Sequence, residues 1–344
     1  MRRIVGVLFA ALCLGGAAVL TWPQLFRLER TFPIAQIVSF RGPLAVAFLA
    51  LALIALLLAM FRAVRALALT IAAIAVVAAA ANAGVMVYRG AGTDTDAFPA
   101  KTDASVRVMT WNTAGSATAP DTIASIAVAM KADIVTLPET TIETGEQVAI
   151  LMRDAGSPMW AHHAEYGQYG VDGWDASSTT VLISPALGDY SVIESSQDGS
   201  SNTSTVPSAV AMPTSGSGPT VVAAHAVAPR QSYMQQWRDD LQWLADQCSA
   251  ENVILAGDFN ATLDHMAGMG VDGGSLGRCH DAASETGNGG VGTWTTSYPS
   301  LVGAPIDHIL VSPYWRVTGS AVLTSLDTSG SDHRPLVVQL EPAG

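Results

Sequence analysis

Three long stretches without a charged residue occupy most of the first 88 residues of the sequence. They cover residues 4–26, 42–61 and 66–88, with lengths of 23, 20 and 23 residues. Because a helix needs about 20 residues to cross roughly 30 Å of hydrocarbon, each stretch predicts a transmembrane helix. The alternative, buried helices of a large soluble core, would rarely place three uncharged runs of this length in succession. The sequence therefore predicts an all-α membrane anchor over residues 1–89.

The net charge of the chain changes sign near residue 90. Residues 1–87 contain seven basic residues and one acidic residue, a net charge of +6, whereas residues 88–344 contain 10 basic and 28 acidic residues, a net charge of −18. Over all 344 residues, 49% are hydrophobic and only 13% are charged. This composition excludes a single soluble enzyme, a collagen-like fibre and a basic protein that coats nucleic acid.

Basic residues near the ends of the predicted helices indicate how the anchor is oriented. Positive charge favours the cytoplasmic side, and the bias here is four residues against three. The two groups are Arg2, Arg3, Arg62 and Arg65 on one side and Arg27, Arg30 and Arg41 on the other. We therefore expect a multi-pass protein of the cell membrane whose C-terminal domain lies on the extracytoplasmic side. If the first helix were a cleaved signal peptide, two helices would remain and the domain would lie on the same side.

The cysteines of the acidic region agree with export. Cys248 and Cys279 are the only two cysteines after residue 88. An isolated pair in an exported domain predicts one disulfide. Two unpaired buried thiols are the alternative.

The acidic region predicts a linker followed by one large domain. Residues 90–104, rich in Gly, Thr, Asp and Ala, predict the linker, and residues 105–344 predict a layered α/β domain. Short β-type runs alternate there with helix-like stretches such as 121–131 and 232–247, the second with Ser232 as its capping residue. Several β-type runs end in polar residues, which is where a scaffold positions chemical groups.

The polar residues at these strand ends are carboxylates, amides and histidines. Oxygen ligands of this kind suit Mg²⁺, with Mn²⁺ or Ca²⁺ as alternatives, rather than zinc. The sequence contains no HExxH, Cys-x-x-Cys or GxxxxGK[ST] pattern. Such a set suits phosphate-ester hydrolysis, because a metal neutralises the phosphoryl oxygens while a carboxylate activates water. The candidates are Asn112, Glu139, His225, Asp258, Asn260, Asp307, Asp332 and His333.

Six short motifs carry these residues. In chain order they are T-W-N at 110–112, L-P-E at 137–139, H-A-V-A-P at 225–229, G-D-F-N at 257–260, I-D-H-I at 306–309 and S-D-H-R-P at 331–335. In this order they resemble the endonuclease/exonuclease/phosphatase superfamily of metal-dependent phosphohydrolases, in a membrane-anchored bacterial type. The resemblance implies a two-sheet α/β sandwich preceded by the all-α anchor.

The resemblance also implies the metal ligands. Asn112 and Glu139 would hold the metal, Glu139 as the principal ligand, and Asp332 would lie beside it. One departure is visible, because the residue before the glutamate is commonly Gln in the family and is Pro138 here. Since the glutamate itself is present, we still expect metal binding.

The remaining residues receive catalytic roles from the same resemblance. Asp258 would orient or deprotonate the attacking water, and Asn260 would bind a phosphate oxygen. Asp307 would fix the tautomer of His333, whose imidazole would contact the scissile phosphate. His225 would bind phosphate or assist the leaving group. A carboxylate-oriented histidine beside a metal is also what elementary chemistry expects of a transition-state stabiliser.

The charge near the motifs bears on the substrate. Nucleic-acid binders present a basic face, whereas Arg230 and Arg334 are the only basic residues that adjoin the motifs; both are candidates for binding substrate phosphate. We therefore expect a lipid-linked or small phosphodiester or phosphomonoester. An extracytoplasmic nuclease with the same site is the alternative, and a non-catalytic binding module is a third. Trp174, Trp294 and Tyr298 are predicted in loops, either as lipid or sugar contacts or in structural roles.

Overall fold

The N-terminal part of the chain consists of apolar helices. The computed structural model describes residues 2–92, 98–167, 175–193, 201–216 and 218–344, divided into the units Met1–Tyr88 and Arg89–Gly344. The helices of the first unit are α1 (Arg2–Thr21), α2 (Ile34–Val38), α3 (Arg41–Leu58) and α4 (Arg65–Arg89). Of these, α1, α3 and α4 are long and apolar enough to span a membrane. The prediction of three such helices is confirmed, although α1 ends before residue 26 because Pro23 starts a 3₁₀ helix.

The C-terminal unit is built on two mixed β-sheets, each with six strands among the described residues. The order in the first sheet is β11 (Trp315–Val322), β12 (Leu336–Pro342), β1 (Val106–Thr110), β2 (Ile134–Pro138), β4 (Ser178–Ile183) and β3 (Trp160–Glu165). The order in the second is β5 (Tyr190–Val192), β6 (Ala209–Pro213), β7 (Thr220–His225), β8 (Val253–Asp258), β10 (Asp307–Val311) and β9 (His280–Asp281). The pairs β1–β2 and β7–β8 are parallel, and the other pairs are antiparallel.

The main core lies between the two sheets. Val108 and Ile134 of the first sheet share one buried cluster with Ala223, Ile254 and Ile309 of the second. Every residue of β1, β2, β4, β8 and β10 is buried. Strands covered on both faces have continuous apolar runs rather than an alternating pattern, which explains the sequence of these segments. The predicted two-sheet α/β sandwich is confirmed.

Helices cover the sandwich and form a second core. They are α5 (Pro120–Ala129), α6 (Ile142–Asp154), α7 (Met234–Gln247) and the one-turn helices α8 (Leu263–Met266) and α9 (Ala282–Glu285). Ile123 of α5 and Val148 of α6 pack with Leu137 of the first sheet. The prediction that Ser232 caps the helix now labelled α7 is wrong, because a 3₁₀ turn precedes this helix and Tyr233 is its N-cap.

The described parts of the predicted linker, residues 90–104, are hydrogen-bonded to the C-terminal unit. The amide of Gly92 donates to the carbonyl of Gly287 at 3.1 Å, and the guanidinium of Arg107 donates to the carbonyl of Pro99 at 2.7 Å. The centre of the predicted linker lies outside the described residues. The C-terminal unit thus begins before the predicted start of the domain.

The predicted disulfide is present. Cys248, at the C-cap of α7, is bonded to Cys279, which directly precedes β9, across a sequence separation of 31 residues. Cys13 in α1 is a free cysteine. The bond ties the end of a long helix to the glycine-rich segment before β9, and closing a loop of this length restricts the unfolded chain.

A buried polar network joins the three long helices of the N-terminal unit. Arg41 donates through Nη1 to the carbonyl oxygen of Thr21 at 2.7 Å and to Oδ1 of Asn82 at 2.6 Å. The Asn82 amide nitrogen donates in turn to Thr21 Oγ1 at 3.3 Å and to the Ala78 carbonyl at 2.9 Å. Around it, small side chains such as Ala75 allow close packing of the helices. The network satisfies a buried guanidinium where an unpaired one would be costly.

We predict that Asn82→Ala lowers the free energy of unfolding of the anchor by about 1–2 kcal/mol, because Arg41 loses a buried hydrogen-bond acceptor inside the helix bundle. The measurement is an SDS titration of the full-length chain in detergent micelles, followed by circular dichroism. Thr70→Ala is the matched control: Thr70 is exposed on the same helix and donates to the Ala66 carbonyl of its own turn, so its effect is expected within about 0.5 kcal/mol. Equal effects of the two substitutions would contradict the role given to Asn82.

Candidate active site

The predicted site residues meet at one edge of the sandwich because of where their strands end. His225 and Asp258 are the last residues of the parallel strands β7 and β8, and they lie side by side in the sheet register. Asp307 is the first residue of the antiparallel strand β10 and pairs with Asp258. Three neighbouring strands therefore bring these three side chains to one position along the sheet. Such strand ends are common places for catalytic groups.

The first sheet contributes Glu139 and Asn112 from the ends of β2 and β1. Glu139 follows Pro138 directly and has a left-handed backbone conformation, with φ of 56°. Asn260, two residues beyond β8, has a similar φ of 48°. Backbone in this region is uncommon for residues other than glycine and clusters at functional sites. The two sharp turns keep both side chains at the ends of their strands.

His333 forms the closest charged pair of the site. Its Nδ1 is 2.8 Å from Asp307 Oδ2, and its Nε2 is 3.9 Å from Asp258 Oδ2. Burial opposes the charge of the imidazolium, but the carboxylates of Asp307, Asp258 and Asp332 outweigh this effect and raise the pKa of His333 to about 10. His333 therefore holds two protons near neutral pH, and Nε2 presents an N–H toward the centre of the site.

Asp258 is held by three donors. The backbone amide of Asn260 donates to Oδ1 at 2.8 Å, while the amide nitrogens of Asn112 and Asn260 donate to Oδ2 at 3.1 and 3.2 Å. Burial and the nearby negative charge of Asp307 raise the pKa of Asp258 to about 7, although His333 and the hydrogen bonds oppose the shift. A carboxyl group with this pKa accepts a proton from water more readily than an ordinary aspartate does.

Glu139 is the open carboxylate of the site. Its side chain is 29% exposed, whereas Asn112, Asp258 and Asp307 are buried. Asn112 donates to Glu139 Oε1 at 3.1 Å, and its own Oδ1 accepts the amide of Ala114 at 3.0 Å. Asn112 thus orients Glu139 through its amide nitrogen. That Asn112 ligates a metal stays a prediction.

His225 is the second buried imidazole of the candidate site and, unlike His333, is uncharged. Burial lowers the pKa of His225 to about 4, and the negative charge of Glu139 only partly offsets this effect. Its Nε2 lies 3.9 Å from Glu139 Oε1, and its buried Nδ1 has no hydrogen-bond partner among the described residues. At neutral pH this ring is uncharged, so it can donate to a bound ligand without adding positive charge.

Asp332 lies at the solvent side of the site, with its side chain 52% exposed. Its Oδ1 is 4.0 Å from His333 Nε2, and its Oδ2 accepts the indole N–H of Trp294 at 2.8 Å. Trp294 is thus a member of the site that the sequence placed only in a loop. Of the other predicted loop aromatics, Tyr298 is exposed and Trp174 lies outside the described residues.

The two predicted phosphate-binding arginines differ in their exposure to solvent. Arg230 is exposed at the N-cap of the 3₁₀ turn before α7, so its predicted role stays a prediction. Arg334 has another role, because its side chain is fully buried and bound to the carboxylate of Asp327 at 2.6 and 2.7 Å. Its remaining N–H groups donate to backbone carbonyls. It has no donor left for a substrate phosphate.

The donor set fits a hard divalent cation. Four carboxylates, those of Glu139, Asp258, Asp307 and Asp332, face a region where His333 is the only positively charged side chain among the contacts described above. Atoms of Asp258, Asp307 and His333 lie within 4.8 Å of one another. Glu139 and Asp332 are the more exposed carboxylates of the set, and their ligation of a metal stays a prediction.

Comparison with known proteins identifies a family and several solved structures with a similar fold. The model of the endonuclease/exonuclease/phosphatase family matches residues 109–333, and no curated protein matches the chain. An endonuclease/exonuclease/phosphatase from Beutenbergia cavernae has a TM-score of 0.52 at 19% identity, over 70% of this chain and 72% of that one. A humanized TDP2 from D. rerio with 14 mutations has a TM-score of 0.50 at 16% identity, over 70% and 100%.

A second D. rerio TDP2 structure, complexed with a single-stranded DNA product, has a TM-score of 0.50 at 17% identity, over 70% of this chain and 100% of that one. At these identities the likeness shows the fold. The family model covers most of the C-terminal unit and contains every candidate residue from Asn112 to His333. The chain is therefore a member of the endonuclease/exonuclease/phosphatase family.

Proposed function

We propose that this protein is a membrane-anchored, divalent-metal-dependent phosphohydrolase that cleaves a phosphodiester or phosphomonoester at the cell envelope. The observation that carries the proposal is His333, which is hydrogen-bonded to Asp307 at 2.8 Å and lies 3.9 Å from Asp258, while the Asn112 amide joins Asp258 to Glu139. A doubly protonated imidazole, a carboxylate with a raised pKa and an open carboxylate are the groups that phosphoryl-transfer chemistry uses.

Each residue has a role that follows from its geometry. Asp258 accepts a proton from the attacking water, and the Asn260 backbone amide holds the carboxylate in place. Asp307 fixes the Nδ1 proton of His333, so that Nε2–H donates to a phosphate oxygen, where negative charge accumulates in the transition state. His225, neutral and buried, donates to a second phosphate oxygen or to the leaving group.

The proposed metal is Mg²⁺, with Mn²⁺ or Ca²⁺ as substitutes, held by Glu139 and Asp332 with Asn112 beside them. When bound, it supplies Lewis-acid neutralisation of the phosphate charge. Asn112 orients Glu139, and the Trp294 indole orients Asp332. Hydrogen bonds of this kind to ligating carboxylates preserve the geometry of a metal site.

The charge of the domain supports a small or lipid-borne phosphate ester over a nucleic acid. Residues 88–344 have a net charge of −18, and Arg334, one of the two cations beside the motifs, is fully occupied in the protein interior. Each phosphate bound along a nucleic acid needs a compensating cation. Three helices of membrane-spanning length favour a substrate in or near a bilayer.

The location is proposed from the anchor and the disulfide. The three helices put the C-terminal unit opposite the N-terminus if all of them cross the bilayer. The Cys248–Cys279 disulfide is typical of oxidising compartments outside the cytoplasm. Both observations support an extracytoplasmic catalytic unit.

We predict that the purified full-length protein in detergent hydrolyses an activated phosphodiester or phosphomonoester with Mg²⁺ or Mn²⁺ and loses this activity with a chelator. Glu139→Gln and His333→Gln are expected to lower kcat/KM by about 100-fold or more, because each removes charge stabilisation of the transition state. His280→Gln, which changes a histidine of β9 outside the site, is the control with unchanged activity. Activity that survives both site substitutions would refute the assignment.

The proposed substrate class predicts faster cleavage of envelope lipid than of DNA. The protein in vesicles that contain envelope lipid extract should release a phosphorylated headgroup or free phosphate, and it should degrade single-stranded or plasmid DNA far more slowly. Release is measured by ³¹P NMR, with the Glu139→Gln protein as the blank. Faster cleavage of DNA at equal enzyme concentration would instead identify a nuclease.

The topology prediction uses single cysteines in a Cys13→Ser background, where Cys248 and Cys279 are already bonded. Asp154→Cys, at an exposed position of the C-terminal unit, is expected to react with an impermeant maleimide in intact cells. Arg62→Cys, between the second and third long helices, is expected to react only after lysis. The reverse pattern would place the catalytic unit in the cytoplasm.

A further inference from the structure

We propose that Arg334 is a positioning residue, a buried clamp that holds the dipeptide Thr293–Trp294 and, through it, Asp307 and Asp332. The proposed effect on turnover rests on the proposed hydrolase function, whereas the clamp itself is a property of the fold. The sequence predicted that this arginine contacts the substrate. In the structure, its side chain is instead buried in the protein interior and bound to Asp327.

The guanidinium of Arg334 uses all five of its N–H groups. Nε and Nη2 donate to the two carboxylate oxygens of Asp327 at 2.6 and 2.7 Å. Nη2 also donates to the carbonyl of Tyr298 at 2.6 Å, and Nη1 donates to the carbonyls of Gly292 and Thr295 at 3.0 and 3.2 Å. A planar fork with a bidentate carboxylate partner is the arrangement that arginine provides and lysine does not.

The two Nη1 contacts bracket the dipeptide on both sides. Gly292 immediately precedes Thr293, and Thr295 immediately follows Trp294, so one nitrogen holds the chain at each end of the pair. The Arg334 backbone amide also donates to the Thr293 carbonyl at 2.8 Å. Arg334 therefore holds the dipeptide at both ends and at Thr293, in addition to the backbone hydrogen bonds between the dipeptide and Ala304.

Both residues of the bracketed dipeptide contact the site. Thr293 Oγ1 accepts the backbone amides of Ile306 and Asp307, each at 3.1 Å. The Trp294 indole donates to Asp332 Oδ2 at 2.8 Å. One side chain thus fixes the backbone that carries the partner of His333, and the other orients the exposed carboxylate proposed as a metal ligand.

The clamp links two carboxylates that lie on opposite flanks of His333. A displacement of Thr293–Trp294 would move the Asp307 amide and release the Asp332 carboxylate together. Asp327, the counter-ion of the clamp, is partly exposed, with its side chain 33% accessible. It is therefore the place to weaken the clamp without removing a large buried side chain.

The first test follows the Trp294 indole in the full-length protein in detergent micelles, by ¹H–¹⁵N NMR of labelled tryptophan. Trp294→Phe assigns the signal by its disappearance. With the clamp intact, we expect an indole proton that exchanges slowly with solvent; in Asp327→Asn we expect exchange at least about tenfold faster. Asp154→Asn, in the exposed pair Arg153–Asp154, should leave the signal unchanged. An unchanged signal in Asp327→Asn refutes the clamp.

The second test measures kinetics on the substrate that the wild type hydrolyses. Asp327→Asn and Arg334→Lys are expected to lower kcat by about 10–100-fold with KM within about twofold, as for other residues that orient catalytic groups. Asp327→Glu, which restores a carboxylate, should recover most of the loss. A raised KM with unchanged kcat in Arg334→Lys would instead show substrate contact and overturn the proposal.

The two tests separate the possible failures. If the wild type hydrolyses no phosphate ester, the proposed function fails, while the indole measurement still decides whether the clamp exists. If the wild type is active and the clamp variants match it in both kcat and indole exchange, the positioning role fails alone. Thermal unfolding of each variant, compared with Asp154→Asn, identifies any loss of activity that comes from unfolding.

Discussion

The hydrogen bond between His333 and Asp307 is the contact on which the rest of the site depends. It joins β10 of the second sheet to the segment that precedes β12 of the first, at a distance of 2.8 Å. Either partner left alone would be a buried, unpaired charge, and such a charge is strongly destabilising. The bond also fixes where the imidazolium lies relative to Asp258 and thereby its influence on the proton affinity of that carboxylate. Closure of the sandwich and assembly of the site are therefore coupled.

The two buried histidines of the site differ in charge: His225 is neutral and His333 is charged near neutral pH. His225 has no adjoining carboxylate within hydrogen-bond range, so the cost of burying a charge dominates and its pKa falls. His333 is equally buried but has a carboxylate at one nitrogen and two more near the other, so its pKa rises. One scaffold thus keeps a neutral donor and a charged donor together at a single pH. The difference comes from the nearest carboxylate, which is hydrogen-bonded to His333 at 2.8 Å but lies 3.9 Å from His225, and not from the residue type.

The sequence was sufficient to predict the fold and most of the site, because strand ends bring residues together in a regular way. Asp258 closes one strand and Asp307 opens its antiparallel neighbour, so the motifs predict that the two meet. The role of Arg334 was not predictable, since a cation beside His333 has the same sequence pattern whether it points to solvent or to the interior. Trp294 and Asp332 meet across 38 residues, a contact that no local pattern indicates. The start of α7 also differed, because a 3₁₀ turn replaced the expected cap.

The network around Arg41 has a consequence for the biogenesis of the anchor. Arg41 opens the second long helix, whereas Asn82, one of its acceptors, belongs to the third, which leaves the ribosome about forty residues later. In a bilayer, the second helix would therefore enter before the Asn82 acceptor of its guanidinium is present, with the Thr21 carbonyl already available. Arrival of the third helix completes the set of acceptors, so entry of that helix is favoured by more than its own hydropathy. An anchor truncated before residue 82 would keep two apolar helices and still lack one acceptor of the buried charge.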